Sequence, residues 1–186
     1  MKKILFVLLV VCLSCGNLLA QDKLNIPKFE LQENGLFLSG GKPYIVIEMP
    51  GQTKAELYKQ ILVNVSYCYK SPNDVISSIE NEVISINGYE DTFWGMKTLG
   101  QWIYLDAKYV IKIHFKDGKV RVDSPIVSDI GPYNNDFEGR IKFDKVFKKD
   151  GSINPKRQRN VDESNNYFNN LIERFFNTPV SNEEDW

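Results

Sequence analysis

Four aromatic residues in the stretch "DTFWGMKTLGQWIYL", Phe93, Trp94, Trp102 and Tyr104, are the side chains of this 186-residue sequence best suited to hold a ligand. Trp102 and Tyr104 alternate, so on a strand they share a face and could line a sugar, lipid or peptide site. The same four residues, lying near Gly95 and Gly100, also suit a core or the cover of a sheet edge, and that is the expectation for them.

Other chemistry is sought with less return. Acyl transfer needs a base beside its nucleophile, yet His114 is the single histidine and no Gly-x-Ser-x-Gly turn is present. A Ser-Lys pair stays open. Zinc sites draw on clusters of cysteine and histidine, and the sequence has neither. The glycine pair of "SGGKP", residues 39–43, lacks the spacing of a phosphate-binding loop. Asn134, Asp136 and Glu138 alternate before Gly139 like the first half of an EF-hand loop, but the twelfth position is Lys145, where a bidentate carboxylate is required. An ordinary polar loop is the expectation there. Two carboxylates could form a glycosidase pair, a pattern that twenty-odd acids make compatible with almost any sequence. No cofactor is expected.

The elements that must position these residues are legible. "TKAELYKQI" opens a helix at a capping box, Thr53 with Glu56, and Leu57, Ile61, Val65 and Cys68 form one buried stripe, widened by Leu62, up to Ser71-Pro72. Before it, "YIVIEMP" (44–50) is apolar on both alternating faces and reads as an interior strand. Val75 to Ile79 and Val83 to Tyr89 are strands around a turn at Glu80-Asn81-Glu82. "AKYVIKIHFKDGKVRVD" is a hairpin on Asp117-Gly118, pairing Lys116 with Lys119, Phe115 with Val120, His114 with Arg121, Ile113 with Val122 and Lys112 with Asp123. Tyr167, Phe168, Leu171, Ile172, Phe175 and Phe176 make a late amphipathic helix that stops near Pro179. Strand, helix, a meander of about four strands and a second helix give an α+β domain, an antiparallel sheet with two helices on one face.

These segments, "KAELYKQI" after an apolar strand and a proline, "DVISSIENEVISING", "YVIKIHFKDGKVRV" and "FNNLIERF", resemble a family of secreted domains of unknown function from Bacteroides-like bacteria. The resemblance spans roughly residues 43–178. It implies a fold like that of the TATA-box-binding protein (TBP-like), with the same strand, helix, four-strand, helix order, and no site residues. Fold alone implies no DNA binding. The aromatic segment departs from a generic member as a local elaboration.

Lys2 and Lys3, the apolar run Ile4 to Leu13 and Ala20 follow the order of a secretory leader over residues 1–20, cut after Ala20. Lipidation of Cys15 is the rival. That apolar run is shorter than the roughly 20 residues a membrane span needs. Cleavage leaves Cys68 as the lone cysteine, read as a small buried apolar residue. Losing Lys2 and Lys3 takes the 23 basic residues to 21 against 24 acidic, a formal charge of about −3, which argues against a nucleic-acid binder. Lys148, Lys149, Lys156, Arg157 and Arg159 cluster between turn signals as a solvated loop or an anion-binding surface. Residues 21–42 read as an extension with a hairpin at Asn34-Gly35, 43–178 as one domain and 179–186 as a disordered tail. The expected function is a non-catalytic exported domain that binds a protein or small ligand at the cell envelope. An envelope hydrolase with carboxylate or Ser-Lys chemistry, or a structural assembly component, are the alternatives.

Overall fold

The computed structural model describes residues 24–131 and 146–177. The leader with Cys15 and Ala20, the loop of Asn134, Asp136, Glu138 and Lys145, and the tail 179–186 lie outside the described residues.

In chain order the elements are β1 (Glu30–Leu31), β2 (Phe37–Leu38), β3 (Tyr44–Glu48), α1 (Lys54–Tyr67), the short α2 (Pro72–Val75), β4 (Ile76–Ile79), β5 (Val83–Thr98), β6 (Gln101–Lys116), β7 (Lys119–Asp123), β8 (Ile126–Gly131) and, after a 3-10 turn at Pro155–Arg157, α3 (Gln158–Asn177). A six-stranded antiparallel sheet runs in the order β3-β7-β6-β5-β4. On one flank β6 pairs with β5. On the other it pairs with β8 along Asp106–Val110 and with β7 along Ile113–Lys116.

Alternation along the strands sorts side chains between two faces. Ile45, Ile47, Ile84, Ile86, Tyr109, Ile111, Ile113, Phe115, Val120 and Val122 are buried, together with Leu57, Ile61 and Val65 of α1 and Phe168, Leu171, Ile172 and Phe175 of α3. Both long helices therefore cover one face of the sheet. They are joined where the buried Asn64 Nδ2 donates to the Phe175 carbonyl at 2.9 Å. No helix among the described residues is long and apolar enough to cross a membrane.

The helix cap is as the spacing predicts. Thr53 N–H donates to Glu56 Oε2 at 2.7 Å, and Thr53 Oγ1 accepts from the Glu56 N–H at 3.3 Å. The Thr53 N–H bond, with a second from the Thr53 hydroxyl to the same Oε2 at 2.8 Å, holds the Glu56 carboxyl below its usual range. Cys68 is the C-cap of α1, half-buried, with its thiol on the Asn64 carbonyl at 3.4 Å. Burial pushes that thiol's pKa up, against a smaller opposing pull from Arg174, so the reactive thiolate is disfavoured. Pro72 starts α2 at the end of the segment where α1 was expected to close.

Three expectations are corrected. Among the described residues β3 is an edge strand, not an interior one: there it pairs only with β7, and Val46, on its outer face, is 38% exposed. Apolar residues on both faces of a short strand mimic an interior position when one face merely abuts solvent. Lys112 does not meet Asp123. It pairs across β5 with Ser85, the β6–β7 ladder ends at Ile113 and Val122, and Asp123 pairs with Tyr44. The meander has five strands, β8 being the addition.

The segment 24–42 shares the main core, because Phe29, Leu31 and Phe37 are buried in it. Its backbone is held by side chains of α3. Asn165 Oδ1 accepts from Leu31 N–H, and Asn169 both accepts from Phe29 N–H and donates to the Phe29 carbonyl, each bond at 2.8 Å. Amides from a helix thus stand in for a neighbouring strand.

Candidate functional site

The aromatic stretch is the distal half of the β5–β6 hairpin, closed by a turn at Leu99-Gly100 in which both residues have positive φ, 50° and 84°. Its four candidate residues separate into two pairs. Phe93 (4% exposed) and Trp94 (0%) are core, whereas Trp102 (49%) and Tyr104 (52%) are half exposed.

A register shift makes this division. Glu90 pairs with Ala107 and Trp94 with Leu105, so four steps along β5 match two along β6. Consecutive strand residues ordinarily point to opposite faces, but an irregularity of this kind turns both Phe93 and Trp94 inward. Their rings stack 6.0 Å apart with 13° between planes. The indole N–H of Trp94 donates to Ser164 Oγ at 2.7 Å, the Ser164 hydroxyl to the Asn160 carbonyl at 2.8 Å, and Asn160 Nδ2 to the Gly95 carbonyl at 3.1 Å. This buried chain of bonds fastens the start of α3 to the hairpin. The helical pattern of apolar residues gave no sign of Asn160 or Ser164, because two polar residues inside an apolar stripe read as breaks in it.

Beyond the shift, ordinary alternation returns. Gly95 pairs with Tyr104 and Lys97 with Trp102, on the side of the ladder opposite Trp94 and Leu105. A Cβ on Gly95 would lie 3.3 Å from the Trp102 ring and 3.5 Å from the Tyr104 ring, so the absence of a side chain lets both rings settle on the strand. The Arg159 guanidinium lies 4.6 Å from the Trp102 centroid, and its Nε donates to Glu163 Oε1 at 2.6 Å. Tryptophan, tyrosine and arginine therefore form one partly exposed cluster, in which cation–π attraction and the carboxylate hold the guanidinium in place. Arg159 leaves the basic cluster for this site, while Lys148, Lys149 and Lys156 are exposed around a turn braced by Asp150 on Ser152.

Three tyrosines form a second polar group. Tyr167 O–H donates to Tyr109 Oη at 3.0 Å, and Tyr69 Oη lies 3.2 Å from it. Burial, first among the causes, raises the pKa of all three, and for Tyr69 and Tyr167 the charge that Tyr109 would carry raises it further. The hydroxyls stay neutral and act as hydrogen-bond partners in the core rather than as bases. His114 falls opposite Arg121, as its register predicts, and its Nε2 lies 3.0 Å from Asp123 Oδ2. Among the described residues no group of three or more histidine, cysteine or acidic side chains is placed to hold a metal.

Two crystal structures have the same architecture. A TBP-like protein from Parabacteroides distasonis superposes with a TM-score of 0.51 at 15% identity, over 72% of this chain and 91% of that one. A DUF4468 family protein from Bacteroides ovatus gives 0.54 at 16% identity, over 83% and 93%. The fold is TBP-like. No protein-family profile matches the chain, and no curated protein does. At these identities the TBP-like proteins inform the scaffold, and the side chains above carry the functional argument.

Proposed function

We propose that this TBP-like chain is an exported, non-catalytic binding domain whose partner is a protein at the cell envelope, engaged through Trp102, Tyr104 and Arg159. The observation that carries the reading is the division of the aromatic segment. Phe93 and Trp94 are absorbed into the core, while Trp102 and Tyr104 remain about half exposed beside Arg159. Tryptophan, tyrosine and arginine are the residue types most enriched among interface positions that dominate binding energy. Here they rest on a two-stranded ladder tied to α3 by buried hydrogen bonds, so little order need be acquired on binding. Export is supported by the leader-like order of residues 1–20.

The test is to isolate the protein under native conditions from the membrane and soluble fractions of its host and weigh it by mass spectrometry, beside Trp102→Ala. The intact mass reports cleavage after Ala20 or lipid on Cys15. A discrete protein subunit retained by the parent and lost, by about tenfold or more in occupancy, from an equally stable Trp102→Ala is the expected result. Equal retention by both would return Trp102 to a structural role. Turnover of envelope glycans or peptides by the pure protein would establish the hydrolase instead.

A further inference from the structure

The face of the sheet away from the helices carries a second feature, at the far end of β6 from Trp102 and Tyr104. Next to the Asp117-Gly118 turn, two successive rungs on that face set basic side chains against one another. Lys116 stands directly opposite Lys119, and His114 directly opposite Arg121. Like charges directly opposite on antiparallel strands destabilise the pair. At the second rung Asp123 accepts from Arg121 Nε at 2.7 Å and lies 3.0 Å from His114 Nε2, so a carboxylate already serves that pair. Among the described residues, Lys116 and Lys119 form no ion pair, although Glu48 is the register partner of Lys119 on β3.

His114, Lys116, Lys119 and Arg121 line a cleft of about 310 Å³ together with Val46 and Phe115. That volume is near the lower end for sites that hold small molecules. Three permanent cations line the cleft, two carboxylates, Asp123 and Glu48, stand beside it, and Val46 supplies an apolar wall.

We propose that this cleft binds the tetrahedral oxyanion of a phosphate or sulfate ester, whose carbon skeleton rests on Val46. An oxyanion seated between Lys116 and Lys119 does for the first rung what Asp123 does for the second. Its several acceptor oxygens can take charge-assisted hydrogen bonds from both ammonium groups and from Arg121 at once, which a single carboxylate oxygen pair does less completely. The site is separate from the Trp102 cluster and does not depend on the reading given for it.

The probes are inorganic phosphate, inorganic sulfate, glucose 1-phosphate, glucose, and vesicles of phosphatidylcholine with and without phosphatidylglycerol, titrated into the full chain at constant ionic strength. Saturable one-to-one binding of glucose 1-phosphate, with none of glucose, is expected. Lys116→Glu should weaken it at least about tenfold, the loss that follows from removing a hydrogen bond to a charged group. Lys59→Glu makes the same charge change on the exposed surface of α1 and should leave binding intact. Because Lys116→Glu turns the repulsive rung into an attractive one, the ligand-free variant should melt no lower than the parent, which separates lost binding from lost folding. Should it melt lower, Lys119→Ser provides the same binding comparison. Absence of saturable binding to every soluble oxyanion, equal weakening by Lys59→Glu, or binding to anionic vesicles alone would each overturn the proposal.

Discussion

Gly88 shows how narrowly a single position can be specified. It pairs with Tyr109 across β5 and β6, and a Cβ there would fall 2.1 to 2.3 Å from atoms of the tyrosine ring. The ring occupies the space a side chain would take, and from there its hydroxyl meets those of Tyr69 and Tyr167. Gly88→Ala must therefore displace a ring packed edge-on against Phe168, at 5.3 Å between centroids. The expected cost is about 2 kcal/mol or more, the range found when well-packed cores are overfilled. Urea denaturation checks it, and an unchanged midpoint would mean that Tyr109 has a second place to go. Gly95 presents the contrasting case: the rings above it sit at ordinary to slightly tight distances, so its role is to seat a surface cluster rather than to admit a core ring.

At the scale of elements, α1 was legible because its determinants are local. A capping box is four residues long, and Leu57, Ile61 and Val65 recur at helical spacing, so no distant contact was needed to recognise them. Thr53→Ala should lower stability by about 1 kcal/mol, read as a fall in melting temperature, and no change would show that the Lys54 N–H bond to Asp117 anchors the helix start unaided. The Asp117-Gly118 hairpin was legible for the same reason, since turn type sets register. The distal turn of β5 and β6 was not, because Leu99 adopts a positive φ that its residue type disfavours. Nor was the shift between Glu90 and Trp94, which decides which aromatic residues are core and which are surface.

For the whole molecule, the tyrosine group ties α1's C-terminal end, the sheet and α3 together, and it links stability to alkaline pH. The folded state holds Tyr69, Tyr109 and Tyr167 neutral, with burial the largest cause. A phenol whose pKa is raised on folding contributes its stability in full below the unfolded pKa of about 10 and loses it as pH rises above that value. The tyrosine contribution to the denaturation midpoint should be flat up to about pH 9 and fall beyond about pH 10. Ultraviolet titration should show the last phenolates appearing together with unfolding. Ionisation of all nine tyrosines while near-ultraviolet circular dichroism remains native would contradict this. In the variant Tyr167→Phe the alkaline fall should be shallower, since one of the three raised groups is gone.

Local pattern by itself determined that the two long helices exist, the Asp117-Gly118 hairpin and the α+β class, because caps, turns and periodicity act over a few residues whose identities are all in view. Tertiary structure alone decided that β3 lies at an edge, that Asn160 and Ser164 belong inside, and that Trp94 is core while Trp102 faces outward. Each of those outcomes depends on which distant segment supplies the neighbour: β7 beside β3, Ser164 beneath Trp94, Arg159 over Trp102. A residue's type limits the partners it can use, but exposure is a property of the packed whole, and it is exposure that distinguishes a binding surface from a core.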